Sequence, residues 1–410
     1  MKGQLTYMFH LHNSIRTYHW GSPDAISSLL GLQTDATPQA ELWLGAHPGN
    51  PSRLRETGQG LDELLADTPQ LLGQAVSDRY GQLPFLMKVL AADQPLSIQV
   101  HPSLEQAAAG FEREEQAGIG RDAAHRNYKD ANHKPEMLYA LGDFVALSGF
   151  RAPAQIIADL QRLQPWLSEP AAAISRELVD VLDREEDPLG QALARVLGGD
   201  QRIGKLVDEM VTAITAHPQL RQNRQLDELA WAAGYYPADP GVLVTLLMNV
   251  VDLKAGEVIC MQAGYLHAYL RGVGIEVMAN SDNVLRGGLT SKHIDVPELL
   301  AITHTQPGQA TALSGATLGP GNTLYTPDFD EFQLQVLQLS AEGRAQQLAC
   351  HGAGIALCTG GSFTLQRDGR QLQLHRGDSV FLPAGSPVLA QVLDGTDATL
   401  FLASAQTPGD

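Results

Sequence analysis

The chain has 410 residues, too many for a single compact core, so two or three domains are expected. Hydrophobic residues make up 44% and charged residues 18%, the balance of a globular protein rather than of a disordered or fibrous one. A net charge of −18 argues against a nucleic-acid or anionic-membrane surface, because both require a basic face.

The opening stretch, Met1 to Arg16, lacks an apolar run followed by a small-residue cleavage site. The longest apolar run, Val242 to Val251, is too short to span a bilayer. A cytoplasmic protein is therefore expected. Cys260, Cys350 and Cys358 sit in apolar, strand-like surroundings without metal-type spacing, as buried thiols do in a reducing compartment. In so acidic a chain, cations grouped near one site carry more meaning than they would in a basic one.

To about residue 82, short strand candidates alternate with turns. Gly45 to Pro51 is too dense in turn formers for regular structure, and Thr68-Pro69 reads as the start of a short helix. His47 is a possible ligand, although an exposed loop imidazole also fits. From Leu83 the period becomes two: Leu96, Ile98 and Val100 point one way, and Ser97, Gln99 and His101 the other. Residues two apart on a strand lie about 7 Å apart on one face, so Gln99 and His101 can lean onto one ion or substrate group. An ordinary half-solvated strand alternates in the same way. Ser103 with Gln106 forms a capping box that opens a polar helix.

Tyr128 to Met137 packs Glu136, His133, Asn132, Asp130, Lys129 and Lys134 into ten positions. Pro135 forbids a helix interior and pushes Lys134 toward extended geometry, so this is a polar loop feeding a strand that begins near Glu136. Residues 152–235 then carry three helical stripes: Ile156, Ile157, Leu160 and Leu163; Ile174, Leu178, Val181 and Leu182; and Ile203 through Ile214. They read as the core of an all-helical insert without chemistry of its own. Strands are expected to resume at Leu243.

Ala255 to Gly264 and Arg376 to Gly385 repeat one turn, strand, turn pattern, which points to a duplicated β unit. Val388 stands in the second copy where His267 stands in the first, so the second has no ligand. A second dense polar stretch, Gly274 to His293, follows His267, and residues 311–410 alternate strands with glycine-rich turns, as in a β-sandwich or small barrel. Gln99, His101, Glu136 and His267 together offer two imidazoles, a carboxylate and an amide oxygen, a set suited to Zn²⁺ with an open coordination position.

Several segments closely resemble the type I phosphomannose isomerases: Glu41 to Pro48, Pro95 to Pro102, Tyr128 to Met137, and His267 through Arg286 to Val296. The resemblance runs to about residue 305. It implies a mainly β fold of two cupin, jelly-roll-like β-barrels with a helical insert. The catalytic cupin would comprise residues 1–151 and 236–310, the insert 152–235, and a metal-free cupin 311–410. It implies interconversion of mannose 6-phosphate and fructose 6-phosphate through an enediolate, with one Zn²⁺ per chain on Gln99, His101, Glu136 and His267. Arg286 matches the family's catalytic arginine, and Lys134, Glu276, Asp282, Tyr269 and Lys292 match residues lining its pocket; Ser97 joins the substrate-binding set. The family often has an acidic residue then lysine after His101-Pro102, where this chain has Ser103-Leu104.

Such an isomerisation needs an electrophile, a proton-cycling base and a cationic phosphate anchor. For the base, His133, Asp282, Glu276 and a metal-bound water remain rivals. His133 also fits a loop cap, Asp282 an Asx turn, Arg286 an ion pair with Glu276, and Lys134 and Lys292 solvated lysines. Trp20 and Trp43 read as core. The partner expected is a phosphorylated hexose, with no nucleic acid or membrane, and the chain as a monomer or alternatively a homodimer. An iron-dependent cupin oxygenase and a non-catalytic sugar-phosphate-binding cupin are the competing readings.

Overall fold

The computed structural model describes residues 7–350 and 352–406. The strand His267–Ala279 organises it. Its first residues pair with Phe144–Phe150 and Ile98–Val100, and its second half with Phe85–Ala92 and Glu136–Ala140. The change of neighbours occurs at a bulge between Tyr269 and Arg271. Gly272 follows it with φ 128°, and a Cβ there would lie 2.8 Å from the Phe144 Cα, so only glycine lets the chain turn from one layer to the other.

Two large antiparallel sheets result, of eleven and eight strands, with a third of four strands. Helix and strand each take about 30% of the chain, and the sheets form no closed barrel. The expectation of a mainly β protein built of barrels is corrected accordingly. The physical reason is the helical segment, where six α-helices run from Pro153 to Leu247, beyond the insert boundary expected at 235. The three stripes read from the sequence fall on Pro153–Leu163, Glu169–Arg184 and Gln201–Ala216, and their apolar faces form one core. Pro188–Leu197, Arg224–Ala233 and Pro240–Leu247 add three more helices.

The last of these overturns the strand expected from Leu243. A buried apolar run has no period that distinguishes strand from helix. Here Asp239 caps the Gly241 amide and Pro240 takes the first helical position, so the run starts as a helix and extends only from Met248. The Ser103 capping box forms as read, with Gln106 returning its side chain to the Ser103 amide. Thr68-Pro69 opens a four-residue 3₁₀ turn, Pro69–Leu72, without a side-chain cap.

The duplicated β unit is visible. Val258–Met261 and Ser379–Leu382 are both buried four-residue strands, preceded by Gly256 at φ 90° and Gly377 at φ 92°. Hydrogen bonding crosses the composition boundaries: Phe9–His12 pairs with Ser379–Leu382, and Thr311–Ala312 with Val258–Met261. One apolar cluster joins the two large sheets, from Leu42, Phe85 and Met87 to Phe332, Phe381 and Phe401. The three cysteines are buried and unpaired, and burial pushes each thiol up to about 12. No helix among the described residues is long and apolar enough to cross a membrane.

Phe401, 1% exposed and edge-on to Tyr139 at 5.2 Å, sits at that junction. Phe401→Ala is expected to lower unfolding stability by about 3–5 kcal/mol, read from urea denaturation. A loss below about 1 kcal/mol would show that the two sheets do not share a core.

Candidate metal centre and active site

The two dense polar stretches lock onto each other. Asp130 accepts hydrogen bonds from the Asn132 amide, the Ser281 hydroxyl and the Asp282 amide. Asn283, fully buried, does the converse: its Oδ1 accepts from the Lys129 and Asp130 amides, and its Nδ2 donates to the Asp130 and Asn132 carbonyls. These side chains satisfy the backbone of the two turns, which fixes the entry to Glu136 without regular structure.

Glu136 is the first residue of its strand and is 2% exposed. Its Oε1 lies 3.2 Å from His101 Nε2 and 2.8 Å from Lys134 Nζ, and its Oε2 lies 3.3 Å from His267 Nε2. Burial alone raises a carboxyl pKa, yet the Lys134 ammonium beside it holds Glu136 well below the usual carboxylate range. Both imidazoles are fixed from behind. His101 Nδ1 lies 2.7 Å from the Asn283 carbonyl and His267 Nδ1 lies 3.0 Å from the Tyr265 carbonyl. A carbonyl only accepts, so Nδ1 carries the proton and each Nε2 presents a lone pair. Burial, then Lys134, lowers the His101 pKa to about 4, which keeps this ring neutral.

His101 Nε2, His267 Nε2 and Glu136 Oε2 are buried without a hydrogen-bond partner. Buried polar atoms are almost always satisfied, so three converging ones fit a cation-binding site. His101, Glu136 and His267 form the group among the described residues whose donor atoms all lie within 4.8 Å of one another. Two nitrogens and an anionic oxygen suit zinc. Gln99 stands directly across from His267 on one side and from Arg286 on the other. His47 is elsewhere, 3.5 Å from Asp282, and its contact holds the Asp282 carboxyl below its ordinary value.

A second buried charge group lies on the same sheet. Lys88 sits 2.9 Å from Glu276 and 3.3 Å from Glu41, all three buried. Burial opposes the ammonium, but Glu276 and Glu41 outweigh it and raise the Lys88 pKa. The Glu276 carboxyl is raised by burial against the pull of Lys88. Tyr269 is buried beside this group, and burial followed by Glu276 and Glu136 raises its hydroxyl well above the ordinary value. The alternative of an Arg286–Glu276 pair is not seen among the described residues, where Lys88 holds Glu276. Sequence reasoning missed Lys88, although a lone lysine in the apolar run Phe85–Ala92 was the available signal.

A cavity of about 320 Å³ opens on this wall, lined in part by Lys88, Lys134, Asp282, Arg286 and Trp43. Adjoining lobes of about 300 and 440 Å³ share Arg286 and Lys292 with it. Ser97, Gln99 and Tyr236 line the smaller lobe, and Lys129 the larger. Trp20 and Trp43 both line cavity walls, and Tyr18 stacks on Trp20 at 5.7 Å, so neither tryptophan is simply core. Burial lowers the Arg286 pKa, and burial followed by Arg286 and Lys129 lowers that of Lys292. No carboxylate among the described residues forms a salt bridge with either, in contrast to the buried Lys88. His133 does not line these cavities; its Nε2 lies 2.6 Å from Glu331 Oε1.

Residues 8–153 match the family model described as phosphomannose isomerase type I, catalytic domain. Mannose-6-phosphate isomerase of Escherichia coli is 39% identical over 389 residues, covering 93% of this chain and 96% of that protein. The enzyme of the same name from Cryptococcus neoformans is 30% identical over 433 residues, covering 95% and 97%. A zinc-bound crystal structure of mannose 6-phosphate isomerase aligns with TM-score 0.86 and 36% identity over 97% of this chain and 99% of that one. A phosphomannose isomerase variant from Salmonella typhimurium aligns with TM-score 0.87, also at 36% identity, with the same coverage. With similarity of this extent running through both the metal centre and the cavity, the chain belongs to the type I phosphomannose isomerase family.

Proposed function

We propose that this protein interconverts mannose 6-phosphate and fructose 6-phosphate with one Zn²⁺ per chain held by His101, Glu136, His267 and Gln99. The observation that carries the reading is the trio of unsatisfied buried donor atoms beside a cavity rimmed by unpaired Arg286 and Lys292. Zinc bound there supplies a Lewis acid toward the sugar's oxygens. In the same reading, residues 1–151 and 236–310 form the catalytic cupin unit around the insert at 152–235, and 311–410 a metal-free cupin unit.

The chain's own groups divide the remaining work. Lys292 and Ser97 hold the phosphate, since an unpaired cation in a protein of charge −18 is a local anion site against the global field. Arg286, where the three lobes meet, faces the oxygen on which enediolate charge develops. Lys134 holds Glu136 in its ionised form, and Tyr269 keeps its proton and serves as a hydrogen-bond donor. Among the rival side-chain bases, we assign to Asp282 the transfer of the proton from one sugar carbon to the next. It lines the cavity and is half-exposed even with His47 beside it, whereas Glu276 is buried against Lys88 and His133 turns to Glu331 outside the cavity.

Turnover of mannose 6-phosphate is expected to fall to background after chelation and to return with one equivalent of Zn²⁺ per chain. No turnover by the fully metallated protein would favour a non-catalytic sugar-phosphate binder. Asp282→Asn is expected to lower kcat at least about 100-fold, with His133→Gln lowering it far less. The reverse order would assign the proton transfer to His133.

A further inference from the structure

We propose that Asp239, which caps the last helix of the helical segment Pro153–Leu247, is a positioning residue that holds the Arg286–Lys292 turn in its phosphate-binding geometry, so that this segment sets substrate affinity. This rests on the reading that Lys292 anchors the phosphate.

The Asp239 carboxylate is shared between two elements. Its Oδ1 accepts from the Gly241 amide at 2.6 Å and caps the helix Pro240–Leu247, while its Oδ2 accepts from the Thr290 amide at 3.3 Å. The Thr290 hydroxyl accepts in turn from the Lys292 amide at 3.1 Å. One side chain thus links the first turn of a buried helix to the residue that sets the backbone of Lys292.

The contact beneath it is backbone on backbone. A Cβ on Gly241 would lie 2.3 Å from the Leu289 nitrogen, and one on Gly288 would lie 2.3 Å from the Gly241 Cα. Gly288 has φ 129°, and Leu289 has φ 51°, in a region that leucine seldom occupies. Such a conformation persists only where the surroundings over-determine it, and the helix end pressed against this turn does so. The same end supplies Tyr236, which donates to the Pro95 carbonyl at 3.1 Å and walls the lobe that Ser97, Arg286 and Lys292 share. The helix stripes behind it are apolar core, so this is where the helical segment meets the cavity.

The test is steady-state kinetics of the full-length, zinc-loaded enzyme on mannose 6-phosphate. Asp239→Asn and Asp239→Ser each retain a helix cap but cannot also accept from Thr290. Each is expected to raise KM about tenfold with kcat and zinc content unchanged. Lys292→Ala should raise KM at least as much, and adding Asp239→Asn to it should raise KM little further, because both act through one contact. A KM that rises in Lys292→Ala but not in either Asp239 variant overturns the positioning role alone. An unchanged KM in Lys292→Ala overturns the phosphate reading and this inference with it. Loss of kcat in step with falling thermal stability in both Asp239 variants would show a purely structural cap and likewise overturn it.

Discussion

A carboxylate with 2% exposure is the constraint on which the rest of the site depends. An isolated charge placed there would neutralise itself, so Glu136 stays ionised because the Lys134 ammonium lies against it, while the lone pairs of two imidazoles face the same point. That arrangement requires three backbone segments to arrive at fixed positions: the end of Ile98–Val100, the start of His267–Ala279 and the loop before Glu136. Strand pairing fixes the first two. The third is fixed by Asp130 and Asn283, whose side chains supply the hydrogen bonds that a ladder supplies elsewhere.

Charge is sorted across the cavity. Deep in the wall, Lys88 lies between Glu276 and Glu41, and two carboxylates offset its charge. Nearer the opening, Arg286 and Lys292 face one another's repulsion without a carboxylate. The difference decides their roles: a satisfied ammonium holds a structure together, whereas an unsatisfied pair is stabilised by whatever anion enters. The large negative charge of the chain sharpens this contrast instead of obscuring it.

Much of this was legible in the sequence, and the exceptions have physical causes. The loop Tyr128 to Met137, the Ser103 capping box and the alternation through Gln99 and His101 follow from residue type and period, which act locally. The duplicated β unit showed because its glycines occupy matching positive-φ turns. The helix Pro240–Leu247 was misread because burial on all sides erases its period, leaving only Asp239-Pro240 as a start signal. Lys88 escaped because its meaning lies in partners 47 and 188 residues away. His133 stood beside Lys134 in sequence, yet the alternation of side chains carries it to Glu331 instead of to the cavity.

The central claim is that His101, Glu136 and His267 share one ion. Anomalous diffraction at the zinc edge, from crystals of the full chain grown with Zn²⁺, tests it most directly. The account predicts one dominant peak about 2.0–2.2 Å from His101 Nε2, His267 Nε2 and a Glu136 carboxylate oxygen. A zinc-loaded protein whose dominant peak lies away from these three atoms would contradict it.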